Sequence, residues 1–191
     1  RIAVDGIEDF YAGETSARIV ADMEANGGLI SQADLTTCAP EENEPLWGEY
    51  RGYRFSTNHP PGGGIMLIEM LNILENFDLS AMGHNSPEYI RVVAEAMKIA
   101  TVDKDTKVGD PRFYDVPVAE LTSKEYAARK AEQIKRGEKC AVPRVNQGGG
   151  ESKHTTQVTV TDEHGNCVTM THTLGQPSGV VTDGLGFMYN G

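Results

Sequence analysis

Two threonines near the end of the chain, Thr155 and Thr173, are the residues whose type and spacing first suggest chemistry. Each lies in a seven-residue segment, 155–161 or 167–173, that alternates in period two and is rich in β-branched residues. The polar turn between the segments contains a glycine, and the whole pattern predicts an antiparallel β-hairpin. If the segments pair outward from the turn, Thr155 lies opposite Thr173, where Cβ atoms are roughly 4.5–5.5 Å apart. The two hydroxyl groups are therefore expected to reach one another, and a shift of one residue in register would separate them.

A threonine hydroxyl is a weak nucleophile unless a nearby base takes its proton. A threonine that begins a chain carries such a base in its own α-amine, whose unperturbed pKa is about 8. Thr155 follows a glycine-rich stretch, 137–153, that is typical of an exposed linker. Cleavage of the His154–Thr155 bond would expose this amine and make Thr155 an N-terminal nucleophile. The alternatives are that Thr155 is an ordinary strand threonine and that Thr173 is a cross-strand packing residue.

The remaining candidate residues favour neither a metal site nor a cofactor site. His164 lies in the turn and His172 in a strand, without cysteines or carboxylates at the spacing of a metal site. The aspartates of segment 103–111 do not follow the calcium-loop pattern, and we expect a solvated acidic loop there. His154 is expected to be a solvated linker residue, although a role in the cleavage stays open. We therefore predict no metal and no cofactor.

The segments that must position the hairpin are predicted mainly as helices. The predicted elements are one strand, 47–55, and helices over 10–26, 65–77, 86–100 and 123–136. The helix over 65–77 is apolar on most sides, so it is expected to pack between layers. It follows a turn of two prolines and three glycines, which suits close backbone approach. The helix over 123–136 is lysine-rich and is expected to be exposed.

The composition excludes several classes of function. The 191 residues carry 17 Lys+Arg and 28 Asp+Glu, a formal net charge of −11. This acid excess argues against a nucleic-acid surface and disfavours adhesion to anionic membranes. No apolar run reaches the length of a membrane span, and the first residues lack the pattern of a signal peptide. The three cysteines are widely spaced and are expected to be free thiols.

Many short motifs along the chain occur in the same order in one enzyme family. The motifs around the hairpin lie at 151–160 (ESKHTTQVTV), 162, 165–166, 168 and 171–174 (THTL). The others lie at 27–30, 50–53, 60–61, 63–65, 71–75, 94–96, 109–111 with 113, and 123–126. On these residues, which cover most of the chain, the sequence resembles the γ-glutamyltransferases (glutathione hydrolases) and related acylases of the N-terminal-nucleophile class.

The resemblance implies an α/β (α+β) fold, a four-layer αββα sandwich that is incomplete in this chain. It implies a proenzyme that cuts itself before Thr155, leaving 1–154 in a large subunit and 155–191 in a small subunit that stay associated. Thr155 would be the nucleophile in the cleavage and then in catalysis, and Thr173 would hydrogen-bond it. The implied reaction passes the acyl group of glutathione or another small γ-glutamyl amide to water or an amine, without a cofactor. A periplasmic or extracellular location is also implied.

Several positions depart from the family pattern and leave other functions open. Gly175 stands where the family usually has a substrate-binding asparagine, the loop 176–179 is shorter, and Gly62 replaces a serine. Gly175 is expected to have a backbone role, and it is kept as a substrate-binding candidate beside that role. Further substrate-binding groups of the family are expected outside 1–191, so we expect little activity from this piece alone. The other functions are a related acylase with a different acyl preference and a catalytically silent αββα structural or binding domain.

Overall fold

The computed structural model describes residues 1–40, 42–143, 155–174 and 177–189. The chain divides into two compact units, Arg1–Glu41 with Asn146–Gly191, and Glu42–Val145. The described helices are α1 (Ile2–Asp5), α2 (Glu8–Ala12), α3 (Glu14–Asn26), α4 (Gln32–Thr37), α5 (Gly64–Leu74), α6 (Pro87–Lys107), α7 (Val118–Leu121) and α8 (Lys124–Lys135). The described strands are β1 (Leu46–Tyr50), β2 (Tyr53–Thr57), β3 (Thr155–Thr161) and β4 (Cys167–Thr173). They form two separate antiparallel pairs, β1–β2 and β3–β4.

A buried apolar cluster forms the core of the unit 42–145. Helix α5 packs on α6, α8 and β1, as predicted for a helix that is apolar on most sides. The buried residues of this cluster are Ile73, Phe77, Val92, Ala96, Ile99, Ala127, Ala131 and Ile134. Burial of each large aliphatic side chain contributes roughly 1.5–3 kcal/mol. The cluster therefore fixes the three helices relative to one another.

Helix α5 also carries polar side chains into this core. Glu69 and Asn72 are only 1% and 2% exposed, so they do not form a solvent-facing side. The Asn72 side chain donates a hydrogen bond to the Thr122 carbonyl at 2.9 Å. At the start of the helix, a Cβ on Gly64 would lie 2.2 Å from the Asn58 carbonyl oxygen. Gly64 is thus needed for close backbone approach, which the sequence predicted for this glycine run.

Helix α6 begins as predicted, with the Ser86 hydroxyl as its N-cap, but it continues to Lys107. The prediction of a solvated loop over 103–111 is therefore wrong in its first part. Asp103 is buried within the helix, where its carboxylate accepts from Lys107 Nζ at 2.7 Å and from the Tyr126 hydroxyl at 2.6 Å. The spacing of four residues between Asp103 and Lys107 stabilises the last turns, and lysine complements the C-terminal end of a helix.

The predicted strand over 47–55 is wrong, because the segment contains a hairpin. Strands β1 and β2 pair antiparallel along their whole length. Arg51 and Gly52 form the two-residue turn between them, with φ angles of 51° and 81°. Two successive positive φ angles are the geometry of a type I′ turn. The aromatic residues on both sides of the turn favour strand structure, and arginine is uncommon in the left-handed region. The change of chain direction at this turn was therefore not predicted from the sequence.

Helix α8 follows the predicted range and begins at Ser123, whose hydroxyl accepts from the Tyr126 amide. The expectation of an exposed helix holds for one face only. The opposite face buries Tyr126, Ala127, Ala131 and Ile134. The helix therefore closes the core of its unit while its lysine-rich face remains in solvent.

The helix predicted over 10–26 is interrupted in the structure. Helices α2 and α3 are separate and meet at Gly13. The Asp9 carboxylate accepts from the Thr15 amide at 3.3 Å and from the Thr15 hydroxyl at 2.5 Å, which competes with a continuous helix. The predicted stop is confirmed, because α3 ends at Gly27 with a left-handed φ of 72°.

Candidate active site

The hairpin of β3 and β4 has the register that the sequence predicted. Thr155 lies opposite Thr173, and Thr161 lies opposite Cys167 next to the turn. The Thr155 hydroxyl donates a hydrogen bond to Thr173 Oγ1 at 3.1 Å. Backbone pairing therefore brings the two candidate catalytic hydroxyls together at the open end of the hairpin.

Alternation in period two gives this hairpin one hydroxyl-rich face and one apolar face. On the face of Thr155, Gln157 Nε2 donates to Thr169 Oγ1 at 2.7 Å, and the Thr159 hydroxyl lies 3.1 Å from the same oxygen. These cross-strand contacts support the pairing on which Thr155 depends. The opposite face carries the exposed apolar side chains Val158, Val160, Val168 and Met170.

The turn of the hairpin is held by the Asp162 carboxylate. It accepts from the His164 and Asn166 amides, both at 2.9 Å, and from Asn166 Nδ2 at 2.7 Å. The Asn166 side chain, followed by the backbone amides, holds the pKa of Asp162 below its usual value. Gly165 supplies the predicted left-handed position, with a φ of 82°. The length of this turn sets the register that places Thr155 opposite Thr173.

Every residue of β3 and β4 is exposed, including both candidate threonines. Both hydroxyls are therefore open to solvent in the part of the protein that this chain spans. The three cysteines, Cys38, Cys140 and Cys167, are free thiols, as predicted. Burial raises the pKa of the Cys140 thiol, which makes it a poor nucleophile at neutral pH.

Two predicted site residues, His154 and Gly175, lie outside the described residues, as does the linker from 144 onward. Within the ranges that the structure describes, no three His, Cys, Asp or Glu side chains are grouped so that they could hold a metal ion. In the same ranges, none of the helices combines the length and the apolar character needed to cross a bilayer.

A second polar cluster, buried in the unit 42–145, was not predicted from the sequence. No donor among the described residues reaches either carboxyl oxygen of Glu69. Burial, and after it the neighbouring Asp103 carboxylate, raises the pKa of Glu69 to about 8. Burial opposes ionisation of Asp103 too, but the hydrogen bonds from Lys107 and Tyr126 outweigh it and lower the pKa of Asp103. At neutral pH Glu69 therefore keeps its proton, and the neutral carboxyl group avoids the repulsion that two neighbouring carboxylates would have.

The one feature of the sequence that indicates the Glu69–Asp103 pair is the position of Glu69 within an otherwise apolar helix. The sequence around Asp103 indicates exposure to solvent instead, because Asp103 lies in a run of charged residues. Burial of either carboxyl group depends on how α5, α6 and α8 pack together. The hydrophobic periodicity of the sequence does not show this packing.

Comparison with known proteins shows which family contains this hairpin. The family model described as gamma-glutamyltranspeptidase matches residues 1–191. The chain belongs to the γ-glutamyltranspeptidase family. The family resemblance drawn from the motifs is thereby confirmed.

Similarity to individual members of the γ-glutamyltranspeptidase family extends along nearly all of the chain. It is 41% identical over 192 residues to the acylase ACY 1 proenzyme of Pseudomonas sp. (strain V22). It is 38% identical over 195 residues to the glutathione hydrolase proenzyme of Escherichia coli (strain K12). Each alignment covers 99% of this chain and 34% of the relative, so the chain spans about a third of the length of these curated relatives.

A solved γ-glutamyltranspeptidase has the same fold. The crystal structure of Helicobacter pylori γ-glutamyltranspeptidase is 40% identical and matches with a TM-score of 0.67, over 70% of this chain and 38% of that chain. The expected fold class, an α+β fold of the N-terminal-nucleophile hydrolase type, is confirmed by this match together with the helices and antiparallel sheets described above.

Proposed function

We propose that the chain is part of a proenzyme that cleaves itself before Thr155 and then uses Thr155 as an N-terminal nucleophile. The enzyme transfers or hydrolyses the γ-glutamyl group of small γ-glutamyl amides such as glutathione. The cleavage assigns 1–154 to a large subunit and 155–191 to a small subunit, which remain associated. The observation that carries the proposal is the hydrogen bond between Thr155 and Thr173 on the exposed hairpin. The E. coli relative, named a glutathione hydrolase proenzyme, supports the substrate class.

The first step of the proposed cycle is the cleavage itself. The Thr155 oxygen attacks the carbonyl carbon of His154, and the peptide C–N bond breaks as an ester C–O bond forms. The hydroxyl proton passes to the departing nitrogen, which becomes the α-amine of Thr155. Water then hydrolyses the ester, which restores the hydroxyl and leaves a carboxylate on His154.

The second step uses the amine that the first step released. An α-amine with a pKa of about 8 can take the proton of the Thr155 hydroxyl as the oxygen attacks the γ-carbonyl carbon of the substrate. The leaving amine departs with that proton and an acyl ester remains on Thr155. Water or a second amine then accepts the acyl group, so hydrolysis and transfer share one ester intermediate.

In this mechanism Thr173 positions the nucleophile. Its oxygen accepts the hydrogen bond from the Thr155 hydroxyl at 3.1 Å, which favours one rotamer of Thr155. A neutral hydroxyl is a far weaker base than an amine, so the proton goes to the amine during the attack. The exposure of both residues leaves room for the substrate.

The proposal is tested by the intact mass of the whole proenzyme and of its Thr155→Ala variant. The wild type is expected to give two fragments with the break before Thr155, whereas the variant remains one chain. Thr159→Ala is the matched control, because Thr159 lies on the same strand and face and also contacts β4. A folded wild type that never breaks, or a Thr155→Ala variant that breaks at the same bond, would contradict the proposal.

A second candidate function is that of an acylase with another acyl preference. The 41% identity to an acylase ACY 1 proenzyme favours it, as does Gly175 in place of the asparagine that the family resemblance implies. Turnover of γ-glutamyl amides is to be compared with turnover of amides that carry other acyl groups. A γ-glutamyl preference supports the first function, and its absence supports the acylase. In the latter case Gly175→Asn is expected to increase γ-glutamyl turnover.

A further inference from the structure

A segment beyond the hairpin, 177–189, folds against helix α3. Thr182 is the one buried residue of this segment, with 6% exposure. Its hydroxyl donates to Asp22 Oδ2 of α3 at 2.6 Å and lies 2.7 Å from the Tyr189 hydroxyl. A threonine hydroxyl has a single hydrogen, and that hydrogen goes to the carboxylate, so Tyr189 must donate to Thr182. The hydrogen bonds therefore run in one direction, from Tyr189 through Thr182 to Asp22.

Both ends of this Asp22–Thr182–Tyr189 contact are oriented by further hydrogen bonds. On α3, Asn26 Nδ2 donates to the other carboxylate oxygen of Asp22 at 2.9 Å. Within the segment, Ser178 donates to the Tyr189 carbonyl from its amide at 3.1 Å and from its hydroxyl at 2.8 Å. Because Asp22 and Tyr189 are already oriented, they lose little conformational entropy when the contact forms, and the contact is stronger for that reason.

Aromatic and cationic groups extend the same surface. The Phe187 ring centroid lies 5.9 Å from that of Phe10 and 5.5 Å from that of Tyr189. Arg18 of α3 lies close to Gly184, where an added Cβ would be 3.1 Å from Arg18 Nη2. The segment thus meets α2 and α3 through a mixed surface, with a charge-assisted hydrogen bond at its buried residue.

We infer that the Asp22–Thr182–Tyr189 contact joins the two products of the cleavage before Thr155. The inference rests on the proposed function, because the cut assigns Asp22 to the large-subunit part and the other two residues to the small-subunit part. Thr182 follows Thr173 by nine residues, so the contact also fixes the chain that leaves the site hairpin. On the small-subunit part the contact is made by Thr182 and Tyr189, and on the large-subunit part it is made by the Asp22 carboxylate of α3.

The test uses the whole cleaved protein carrying Thr182→Val, which removes the hydroxyl and nearly keeps the shape of the side chain. Dilution at a fixed low urea concentration, followed by native mass spectrometry, measures the dissociation constant of the two pieces. The variant is expected to raise this constant about tenfold or more, as for loss of a hydrogen bond to a charged group. Thr161→Val removes an exposed hydroxyl from the same product and is the matched control, with an expected change below about twofold.

Two further variants separate the contact from a general loss of fold. Tyr189→Phe keeps the ring and is expected to weaken association by a smaller factor than Thr182→Val. The effect of Asp22→Ala combined with Thr182→Val is expected to be less than the sum of the single effects, because the two residues are in contact. An unchanged dissociation constant for Thr182→Val, or strictly additive single effects, overturns the inference. Intact mass reports the cut before Thr155 independently: an uncut chain overturns the proposed function as well, whereas a cut chain with unaltered association overturns this inference alone.

Discussion

The two polar pairs of this protein, Thr155–Thr173 and Glu69–Asp103, are built in opposite surroundings. The hydroxyl pair lies on a hairpin whose every residue is exposed, and one hydrogen bond of 3.1 Å joins it. The carboxyl pair lies among packed helices, with Glu69 only 1% exposed. The exposed pair is open to solvent in this chain and contributes little to stability, whereas the buried pair affects stability and titration and is closed to solvent.

The pH dependence of stability tests the buried half of this comparison with the largest expected effect. The pKa of Glu69 rises from 4.5 to about 8 on folding, so the folded state keeps a proton that the unfolded chain releases. Stability is therefore expected to fall as the pH rises from 4.5 to 8, by about 5 kcal/mol in total, and to level off above that window. Glu69→Gln cannot ionise, so it is expected to remove most of this fall in urea unfolding measured at pH 5 and pH 8.

The charged groups that affect the pKa of Glu69 are Asp103, Lys107 and Lys130, and Tyr126 donates a hydrogen bond to Asp103. The lowered pKa of Asp103 has the opposite sign and stabilises the fold above its unfolded value, so its loss of stability lies at more acidic pH than the Glu69 window. Glu44→Gln is the matched control, because Glu44 is an exposed carboxylate in the same unit. Equal pH dependence in the wild type and in Glu69→Gln would show that Glu69 is ionised in the fold.

Removal of the Thr173 hydroxyl tests the exposed half of the comparison. In the whole cleaved enzyme, Thr173→Val is expected to lower turnover about a hundredfold, as for loss of one positioned polar group at an active site. The free energy of unfolding is expected to change by less than about 0.5 kcal/mol, because the residue is exposed. Thr173→Ser should restore turnover, and Thr161→Val, which removes an exposed hydroxyl at the turn end of the hairpin, should retain it. Full turnover by Thr173→Val would exclude a positioning role.

Neutralisation of Asp103 tests whether the buried pair contributes to stability through its charge. Asp103→Asn weakens the acceptor for Lys107 and Tyr126 in a buried position and is expected to lower the free energy of unfolding by about 2 kcal/mol, since Lys107 is partly solvated. The control is Asp105→Asn, which removes an exposed ion pair with Lys104 and should cost less than about 0.5 kcal/mol. Urea unfolding at pH 7 distinguishes the two. Equal effects would mean that burial of Asp103 adds nothing.

A glycine in the turn gives the smallest expected effect and separates backbone strain from packing. Gly165 has a φ of 82° with open space around it, so Gly165→Ala should cost about 1 kcal/mol through the left-handed conformation alone. Gly63 also has open space but an ordinary φ of −77° and is the N-cap of α5, so Gly63→Ala serves as the control and should cost no more than about 0.5 kcal/mol in thermal unfolding. A neutral Gly165→Ala would show that the turn can adopt another conformation.

Much of the hairpin could be predicted from the sequence because its determinants are local. The alternating segments 155–161 and 167–173, with their short polar turn, leave one register that keeps apolar residues on one face. The starts of α6 at Ser86 and of α8 at Ser123 were predictable for a similar reason, since an N-cap acts within one turn of the backbone.

The errors lie where distant contacts override local preference. The charged run after Asp103 indicates a loop, but Tyr126 on another helix supplies the donor that allows Asp103 to be buried in α6. Arg51 carries no turn signal, yet its amide donates to Glu75 Oε1 at 2.9 Å, a residue of the distant helix end. Neither partner can be recognised from a window of neighbouring residues.

The sequence was sufficient to place Thr155 opposite Thr173, because strand pairing follows from alternation and turn length. It did not determine that Glu69 and Asp103 meet, or that segment 177–189 contacts α3 through Asp22. Those contacts were decided only by the tertiary structure, since burial and partner choice depend on the packing of elements that are far apart in the chain.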